Sequence, residues 1–265
     1  MAIEMDLNCD MGESFGIYKI GNDEQMMEHV TSISIGCGFH AGDPHVMRRT
    51  VNLAKKYGVA VGAHPGYPDL IGFGRRKLEV TPEEAKDYIL YQVGALKAFC
   101  QAVGTELQHV KPHGQLYNMA WRDEGLAQGI LEAIRELKPE PIFLALYRTI
   151  PYEKAQSMGL RVAGELYADL DYASDGTTLI KKVHGEIDPD ATVKKVLKMV
   201  LEGKVTALDG KEIEVKGRSV CFHGDNPRSP EIARRVKKEL EKNGVTILPL
   251  RLHSYPSSSA NGNPP

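Results

Sequence analysis

The chain has 265 residues, of which 42% are hydrophobic, and its 33 basic side chains nearly balance its 35 acidic ones. This length and composition allow either one large α/β domain or two small ones. The formal net charge of -2 excludes the basic surface that binding to nucleic acid or to an anionic membrane requires. We therefore expect small molecules or proteins as partners.

The first residues and the cysteines indicate the compartment. The segment MAIEMDLNCD has no basic region followed by an apolar one, and no apolar run approaches the roughly 20 residues of a membrane span. Four scattered cysteines without a CxxC pair favour reduced thiols over a disulfide framework. We expect a cytoplasmic protein.

Strand-like apolar runs alternate with helical patterns along the chain. The runs cover residues 3–10, 32–39, 59–64, 107–113, 141–147, 160–169, 219–225 and 245–252. Apolar residues at helical spacing, each pattern closed by a glycine, predict helices over 44–57, 82–103, 189–202 and 230–243. The sequence Thr81-Pro82-Glu83-Glu84 is a capping box that marks the start of the second of these helices.

This alternation predicts parallel strands with helices outside. Seven or eight such units, without a G-x-G-x-x-G after the first strand, favour a closed or nearly closed TIM-like barrel over a dinucleotide-binding open sheet. Residues 205–217 break the alternation and predict a hairpin around Asp209-Gly210 on the barrel's rim. We expect a single barrel domain over 1–252 and a flexible tail over 253–265, which is rich in Ser, Asn, Gly and Pro.

Four of the nine histidines stand at the ends of predicted strands with glycine close behind. They are His40, His64, His113 and His223. In a parallel barrel these strand ends meet at one face, where barrel enzymes carry out chemistry, so we predict a shared site. Asp43 is different, because it precedes Pro44 at a helix start and N-capping alone explains it.

Other strand ends bring carboxylates and a cation to the same mouth. The residues concerned are Asp6, Asn8, Asp10, Glu13, Lys111, Glu165 and Asp169. Histidines and carboxylates together can bind a divalent metal or carry out acid-base chemistry, and their spacing leaves both alternatives open. The glycine-rich segment 66–76 ends in Arg75 and Arg76, and it is either a solvated loop or a lid that brings arginine to an anionic substrate.

Five motifs carry a resemblance to a known family. They are DLNCDMGESFG from residue 6, CGFHAGDP from residue 37, GAHPGYPDLIGFGRR from residue 62, VKPHGQLYN from residue 110 and CFHGDNP from residue 221. Through these motifs, in collinear order from about residue 5 to about residue 250, the chain resembles the LamB/YcsF lactam-utilisation family. The resemblance implies a distorted seven-stranded β/α barrel of the glycoside hydrolase/deacetylase type.

The resemblance also implies an activity, which is cleavage of 5-oxo-L-proline to L-glutamate, coupled to ATP hydrolysis and carried out with separate B and C subunits. The expected catalytic residues are Asp10, Glu13, His40, His64, Lys111, His113, Glu165, Asp169, His223 and Asp225. The expected substrate-binding residues are Asn8, Arg75, Arg76 and Tyr117. The chain has no G-x-x-x-x-G-K-[ST], so we do not expect a P-loop to bind the ATP.

We expect Asp10 or a histidine to act as general base, and Lys111 and Arg75 to face the carboxylate or phosphoryl charge. Two alternatives stay open. A stand-alone metal-dependent deacetylase or amidase would use Asp10, His40 and His64 as metal ligands and would work without ATP. A non-catalytic ligand-binding subunit would use the histidines only to shape a pocket.

The hairpin over 205–217 is a candidate for docking the B and C subunits, because an exposed strand edge can recruit another chain. Its other role would be to cover the barrel end.

Overall fold

Seven parallel strands form a closed barrel in the computed structural model of the chain, which describes residues 3–179 and 187–251. They are β1 (Glu4–Met11), β2 (Ser32–Gly36), β3 (Ala60–His64), β4 (Leu107–Val110), β5 (Ile142–Leu146), β6 (Val162–Tyr167) and β11 (Ser219–His223). Strand β11 pairs with both β6 and β1, which closes the ring. The TIM-like α/β architecture expected from the sequence is confirmed.

Five short strands of the described residues lie outside the ring. They are β7 (Asp171–Tyr172), β8 (Thr178–Leu179), β9 (Lys204–Thr206), β10 (Glu212–Glu214) and β12 (Thr246–Ile247). Strands β9 and β10 pair antiparallel, so the expected hairpin is present. It runs along the outside of the barrel, because the backbone at Lys216 packs directly on Gly164 of β6 and the Leu208 N–H donates to the Tyr172 carbonyl.

The described residues contain eight helices. They are α1 (Asp23–Met27), α2 (Pro44–Tyr57), α3 (Pro82–Val103), α4 (Gly114–Ala120), α5 (Glu124–Glu136), α6 (Ile150–Ser157), α7 (Pro189–Glu202) and α8 (Ser229–Lys242). The predicted bounds of α2, α3 and α7 are confirmed, and α8 begins and ends one residue earlier than predicted. At α3 both halves of the capping box form between Thr81 and Glu84, and Gly104 ends the helix with φ 73°.

Four helices, α1, α4, α5 and α6, were not predicted from the sequence. Three of them have only 5, 7 and 8 residues, too few for the helical period to repeat clearly. Helix α5 is longer, but Gly125 and Gly129 weaken its helical signal. Gly129 is required by packing, because a Cβ there would lie 2.1 Å from the carbonyl oxygen of Pro82 at the start of α3.

The sequence also led to expectations about membrane spans, cysteines and the C-terminal tail. None of the described helices is long and apolar enough to cross a membrane. All four cysteines are buried free thiols, as their spacing indicated. The tail over 253–265 lies outside the described residues, and a single domain ending at residue 252 stays a prediction.

The first layer of polar side chains inside the barrel ties together the strands at which the ring closes. Asp6 of β1 is buried and accepts hydrogen bonds from Thr31 Oγ1 at 2.6 Å, Ser32 Oγ at 2.8 Å and Ser219 Oγ at 2.5 Å. Burial raises the pKa of Asp6 to about 6, although the three hydroxyl groups stabilise its charged form. These bonds join β1 to β2 and β11 from the inside.

His109 of β4 occupies the space left by Gly62 of β3, where a Cβ would come within 2.0 Å of the imidazole. Gln108 Nε2 donates to the Leu250 carbonyl at 2.6 Å, which leaves Gln108 Oε1 facing His109 Nδ1 at 2.9 Å. His109 Nδ1 therefore carries the hydrogen, and Nε2 accepts from the Ser34 hydroxyl at 3.0 Å. Burial lowers the pKa of His109 to about 3, so the imidazole is neutral.

The low pKa of His109 predicts the direction in which stability changes with pH. An unfolded histidine has a pKa of about 6.5, so between about pH 6.5 and about pH 3 the folded protein binds fewer protons and loses stability as the pH falls. In the variant His109→Asn we expect the loss of unfolding free energy between about pH 7 and about pH 5 to be smaller than in the wild type by about 2 kcal/mol. Urea denaturation measures this difference, and the same pH dependence in both proteins would contradict a buried neutral imidazole.

Candidate active site

The four histidines at the strand ends meet at the carboxyl-terminal mouth of the barrel. The rings of His40 and His113 stack, with centroids 3.7 Å apart and planes 1° from parallel, and His64 stands edge-on to both. His223 lies on the other side of Asp10, whose Oδ2 is 3.2 Å from His64 Nε2 and 3.5 Å from His223 Nε2. The structure thus brings these residues into one cluster.

Two backbone carbonyls determine which ring nitrogens carry hydrogen. His64 Nδ1 is 2.6 Å from the Lys111 carbonyl oxygen, and His113 Nε2 is 2.7 Å from the Phe73 carbonyl oxygen. A carbonyl only accepts, so both of these nitrogens are N–H donors. Gly74 allows the loop to approach this closely, since its φ is 64° and a Cβ there would lie 2.6 Å from the His113 ring.

Lys111 lies at the floor of the mouth. Its Nζ donates to Asp10 Oδ1 at 2.9 Å and to Cys221 Sγ at 2.9 Å, and it lies 3.0 Å from Glu165 Oε1. An ammonium group has three N–H bonds, so these three contacts use all of them. We expected Lys111 to face an anionic group of the substrate, and the structure instead directs its N–H groups to protein acceptors, which makes Lys111 a residue that positions Asp10.

The same contacts determine the charges at the floor. Burial opposes ionisation of Asp10, but His64 and Lys111 outweigh it and hold the pKa of Asp10 well below its usual range. Burial also opposes the charged form of Lys111, but Asp10, Cys221 and Glu165 raise the pKa of Lys111 well above its usual value. The floor of the mouth therefore carries an ionised carboxylate held by a charged ammonium.

Asp169 orients His223 with both carboxylate oxygens. Oδ1 is 2.8 Å from His223 Nδ1, and Oδ2 accepts the His223 backbone N–H at 3.0 Å. Burial opposes the charged imidazole, but Asp169 and Asp10 raise the pKa of His223 to about 9. His223 is therefore an imidazolium whose Nε2–H faces Asp10, whereas burial lowers the pKa of His40 and of His113 and keeps both neutral.

A cavity that is partly open to solvent lies over this floor. Its polar lining consists of Asp10, Glu13, His64, Arg75, Lys111, His113 and His223. The remaining lining includes Tyr117, Asn118, Trp121, Tyr167, Leu170 and Thr178. Of that second group, only Tyr117 was predicted from the sequence, although the four-residue spacing of Tyr117 and Trp121 on one face of α4 was a signal that could have added Trp121.

Several predicted residues lie behind the cavity lining or turn away from it. Asn8 Nδ2 donates to Glu165 Oε1 at 3.0 Å, and both residues are buried in the barrel axis. Arg76 Nε donates to Asp69 Oδ1 at 2.7 Å within the glycine-rich loop, and Arg76 is not among the residues that line the cavity. The expectation that Asn8 and Arg76 contact substrate is therefore not supported by the geometry.

The loops around the mouth are tied to one another. Arg75 NH2 lies 3.7 Å from Asp225 Oδ2, which joins the loop after β3 to the loop after β11. Asp43 Oδ1 accepts from the His45 N–H at 2.8 Å, and Asp43 Oδ2 accepts from the Gly16 N–H at 2.7 Å. N-capping of α2 by Asp43 is thus confirmed, and the same carboxylate also fastens the loop after β1.

Comparison with known proteins adds to this geometry. Residues 5–254 match the LamB/YcsF family. The chain is 50% identical over 250 residues to the A subunit of 5-oxoprolinase from Thermococcus onnurineus, a match that covers 94% of this chain and 98% of that protein. The structure of a lactam utilization protein from Thermus thermophilus matches with a TM-score of 0.87 and 43% identity, over 94% of this chain and 100% of that one.

A more distant structure has the same type of barrel. The catalytic domain of a peptidoglycan N-acetylglucosamine deacetylase from Eubacterium rectale matches with a TM-score of 0.53 over 97% of this chain and 92% of that one. Its sequence identity is 12%, so the likeness shows a shared fold alone. It agrees with the deacetylase-type barrel expected from the sequence.

The contacts of Lys111 predict a large effect of its removal on stability. The variant Lys111→Met removes the buried ammonium that contacts both Asp10 and Glu165, so we expect the unfolding free energy to fall by about 3–5 kcal/mol. Urea denaturation near neutral pH measures the loss. Lys56→Met is the matched control, because Lys56 is exposed and lies 3.9 Å from Glu24, and we expect a change within about 0.5 kcal/mol.

Equal effects of the two lysine variants would contradict the role of Lys111. Adding Asp10→Asn to Lys111→Met is expected to restore part of the lost stability, because the second change removes one of the unpaired charges.

Proposed function

Because the chain belongs to the LamB/YcsF family, we propose that it is the A subunit of an ATP-dependent 5-oxoprolinase, a hydrolase that opens 5-oxo-L-proline to L-glutamate. The match to a protein of that name over nearly its whole length supports the substrate. The observation that supports the chemistry most is the Asp10 carboxylate, which faces the cavity between His64 and His223 and is held by Lys111.

The chemistry of the substrate explains why ATP is needed. A five-membered lactam is a resonance-stabilised amide whose opening is not driven by ring strain. Transfer of the ATP γ-phosphoryl group to the amide oxygen gives ADP and an activated carbon, to which water adds. Cleavage of the C–N bond then frees the amino group and leaves an acyl phosphate of glutamate, and a second water hydrolyses this acyl phosphate to glutamate and inorganic phosphate. This sequence requires a base for the water and a donor for the group that leaves.

The residues at the mouth can supply both roles. Asp10 is ionised and so can accept the proton of the attacking water, with one carboxylate oxygen on Lys111 and the other between the two histidines, although these contacts lower its basicity. His223 is oriented by Asp169 so that Nε2–H can donate to the leaving group. Arg75 lines the cavity at its entrance and is the cation placed to bind the substrate carboxylate.

The lining of the cavity suits a small, partly apolar substrate. Tyr117, Trp121 and Leu170 contribute apolar surface against which the ring methylene groups of 5-oxoproline can pack. The ring carbonyl would then lie toward Asp10 and His223.

Nucleotide binding and assembly belong to the proposal as well. The sequence has no P-loop motif, so we assign ATP to the assembled complex with B and C subunits. The Thermococcus onnurineus relative is itself named as one subunit of a 5-oxoprolinase, which supports the existence of such partners. We place the complex in the cytoplasm, where 5-oxoproline and ATP are both available; no partner that is a nucleic acid or a membrane is proposed.

One observation favours a second candidate function, a metal-dependent amide hydrolase that works without ATP. Glu13, His40, His64 and His113 offer ligand atoms that all lie within 4.8 Å of one another. The donor set of imidazole nitrogens and a carboxylate fits a first-row divalent ion. Such an ion would polarise the amide carbonyl as a Lewis acid.

Replacing Asp10 tests its assignment as base. In the complex assembled with B and C subunits, we expect Asp10→Asn to lower kcat for ATP-dependent glutamate formation by at least about 100-fold while 5-oxoproline still binds. Asp123→Asn is the matched control, because asparagine also caps helices and Asp123, which caps α5 through the Leu126 N–H, lies outside the cavity. Near-normal kcat in Asp10→Asn would remove Asp10 from the chemistry, and weaker binding with unchanged kcat would favour a purely ligand-binding role.

The purified chain alone is expected to form no glutamate from 5-oxoproline, with or without ATP, and activity is expected to appear when B and C subunits and ATP are added together. Chromatographic measurement of glutamate under each condition checks this. Glutamate formation by the chain alone without ATP would favour the metal-dependent hydrolase.

We infer a docking surface for the partners from exposed apolar side chains. Ile17 is 89% exposed in the loop after β1, and Ile71 is 92% exposed in the loop after β3, so both apolar side chains lie on loops of the mouth. The hairpin of β9 and β10 instead carries charged side chains such as Lys204 and Glu212, which lie 4.0 Å apart, and charged edges oppose strand pairing. We therefore place the contact with B and C subunits at the mouth rather than at the hairpin.

Substitution of these side chains distinguishes the two surfaces. The double variant Ile17→Asp with Ile71→Asp is expected to bind the B and C subunits at least about tenfold more weakly, measured by calorimetry, with an unchanged thermal unfolding midpoint. Leu208→Asp is the matched control, because Leu208 is 63% exposed near the hairpin turn. Weaker binding by Leu208→Asp alone would return the docking role to the hairpin.

A further inference from the structure

We propose that Glu13, His64 and His113 form a site for one divalent first-row metal ion at the mouth of the barrel. This set differs from the set Asp10, His40 and His64 that the sequence led us to expect. The inference does not rest on the proposed function, because metal binding can be measured without substrate, ATP or partner subunits.

One nitrogen of the His64 ring faces one nitrogen of the His113 ring. The Lys111 and Phe73 carbonyls require His64 Nδ1 and His113 Nε2 to carry hydrogen. The opposite nitrogens, His64 Nε2 and His113 Nδ1, are 2.9 Å apart. With the other nitrogen of each ring committed to a backbone carbonyl, these two facing atoms are the ones left to bind a metal ion. One ion bound there would be shared by both rings.

The distance between these nitrogens is close to that in a metal site. Two nitrogens bound to one tetrahedral zinc ion, each at about 2.0–2.1 Å, lie about 3.3 Å apart. His64 Nε2 and His113 Nδ1 need to separate by only about 0.4 Å from their 2.9 Å to reach that value. Glu13 Oε1 lies 3.8 Å from His113 Nδ1 and supplies a third ligand atom.

The surroundings of the two rings have the form found around metal ligands. A histidine that binds a metal usually donates its other N–H to a carbonyl or carboxylate, which holds the ring in place. His64 and His113 each make such a bond to a backbone carbonyl, at 2.6 Å and 2.7 Å. The only hydrogen-bond partner of the His40 ring among residues 3–179 and 187–251 is Glu13 Oε1, a proposed ligand itself, which is 3.4 Å from His40 Nε2; His40 Nδ1 has none.

The same geometry excludes the other candidates as primary ligands. A metal ion lies in the plane of the imidazole that binds it, and the parallel planes of His40 and His113, with centroids 3.7 Å apart, cannot both contain one ion. Asp10 is outside the group of Glu13 and three histidines whose ligand atoms all lie within 4.8 Å of one another. Its carboxylate oxygens already contact Lys111 at 2.9 Å, His64 at 3.2 Å and His223 at 3.5 Å. The set Glu13, His64 and His113 leaves a fourth position open, as sites that bind substrate or water do.

The experiment measures metal content and affinity in untagged protein purified without chelators and dialysed. We expect about one zinc ion per chain by mass spectrometry, and a visible absorption band when Co²⁺ is added to the metal-free protein. Glu13→Gln and His113→Asn are each expected to weaken Co²⁺ binding at least about tenfold. Asp10→Asn and His40→Asn are expected to keep it within about threefold.

Two controls keep the result independent of folding. His109→Asn replaces a buried histidine outside the cluster and is expected to bind Co²⁺ as the wild type does. Thermal unfolding of each variant by circular dichroism establishes that it is folded, and Glu13→Asp replaces Glu13→Gln if the latter is not.

Failure of the wild type to bind Zn²⁺ or Co²⁺ would overturn the proposal. Loss of binding in Asp10→Asn and His40→Asn, with binding kept in Glu13→Gln and His113→Asn, would also overturn it and assign the site to the set expected from the sequence. Inactivity of the assembled complex toward 5-oxoproline would count against the proposed function and leave the metal measurement unaffected.

Discussion

The buried ammonium of Lys111 is the interaction on which the mouth of the barrel depends. Lys111 follows β4, and its acceptors Asp10, Glu165 and Cys221 lie on β1, β6 and β11. In the ring, β4 is three strands away from both β1 and β11, so this one cation spans the barrel axis. Because a buried charge is stable only when it is paired, the position of each acceptor is constrained by the other two.

Below this layer the barrel interior is unusually polar. Barrels of this type are commonly filled by branched apolar side chains. Here Asp6, Asn8, Ser34 and His109 are all buried in the axis. Their hydrogen bonds join the neighbouring strands β1 and β2, and they also join β1 to β6 and β2 to β4, which are separated by one strand. Such a network costs free energy unless its members are paired, so it specifies the register of the strands that place Asp10 and Lys111 above it.

Above this layer, the loops complete the site with backbone groups. The glycine-rich loop brings the Phe73 carbonyl to His113 and Arg75 to the cavity entrance, so it is part of the site and not a solvated connection. The Lys111 carbonyl plays the same part for His64. At the mouth, the charged side chains of Asp10 and Lys111 thus lie on the barrel floor, and backbone carbonyls orient the rings of His64 and His113.

The helices, the barrel and the gathering of histidines could be predicted from the sequence, because they depend on residues close together in the chain. Helix period, the capping box at Thr81 and the closing glycines depend on residues within a few positions of one another, so α2, α3 and α7 have the bounds predicted for them. Alternation of strand and helix indicated the barrel, and the barrel places all strand ends at one face. The convergence of the histidines follows from that rule alone.

Tertiary structure alone decided what each of these groups does. The Lys111 N–H bonds and the contact of Asp169 with His223 depend on partners 54 to 110 residues away in the sequence. The hydrogen positions on His64 and His113 depend on backbone carbonyls of other loops. The spacing of residues along a helix or strand does not reveal contacts between residues so far apart in the sequence. The sequence by itself determined which chemical groups reach the mouth, because strand ends and residue types are local properties. The closed barrel determined which of these groups are charged, oriented or blocked, because charge and orientation come from burial and from contacts across the axis.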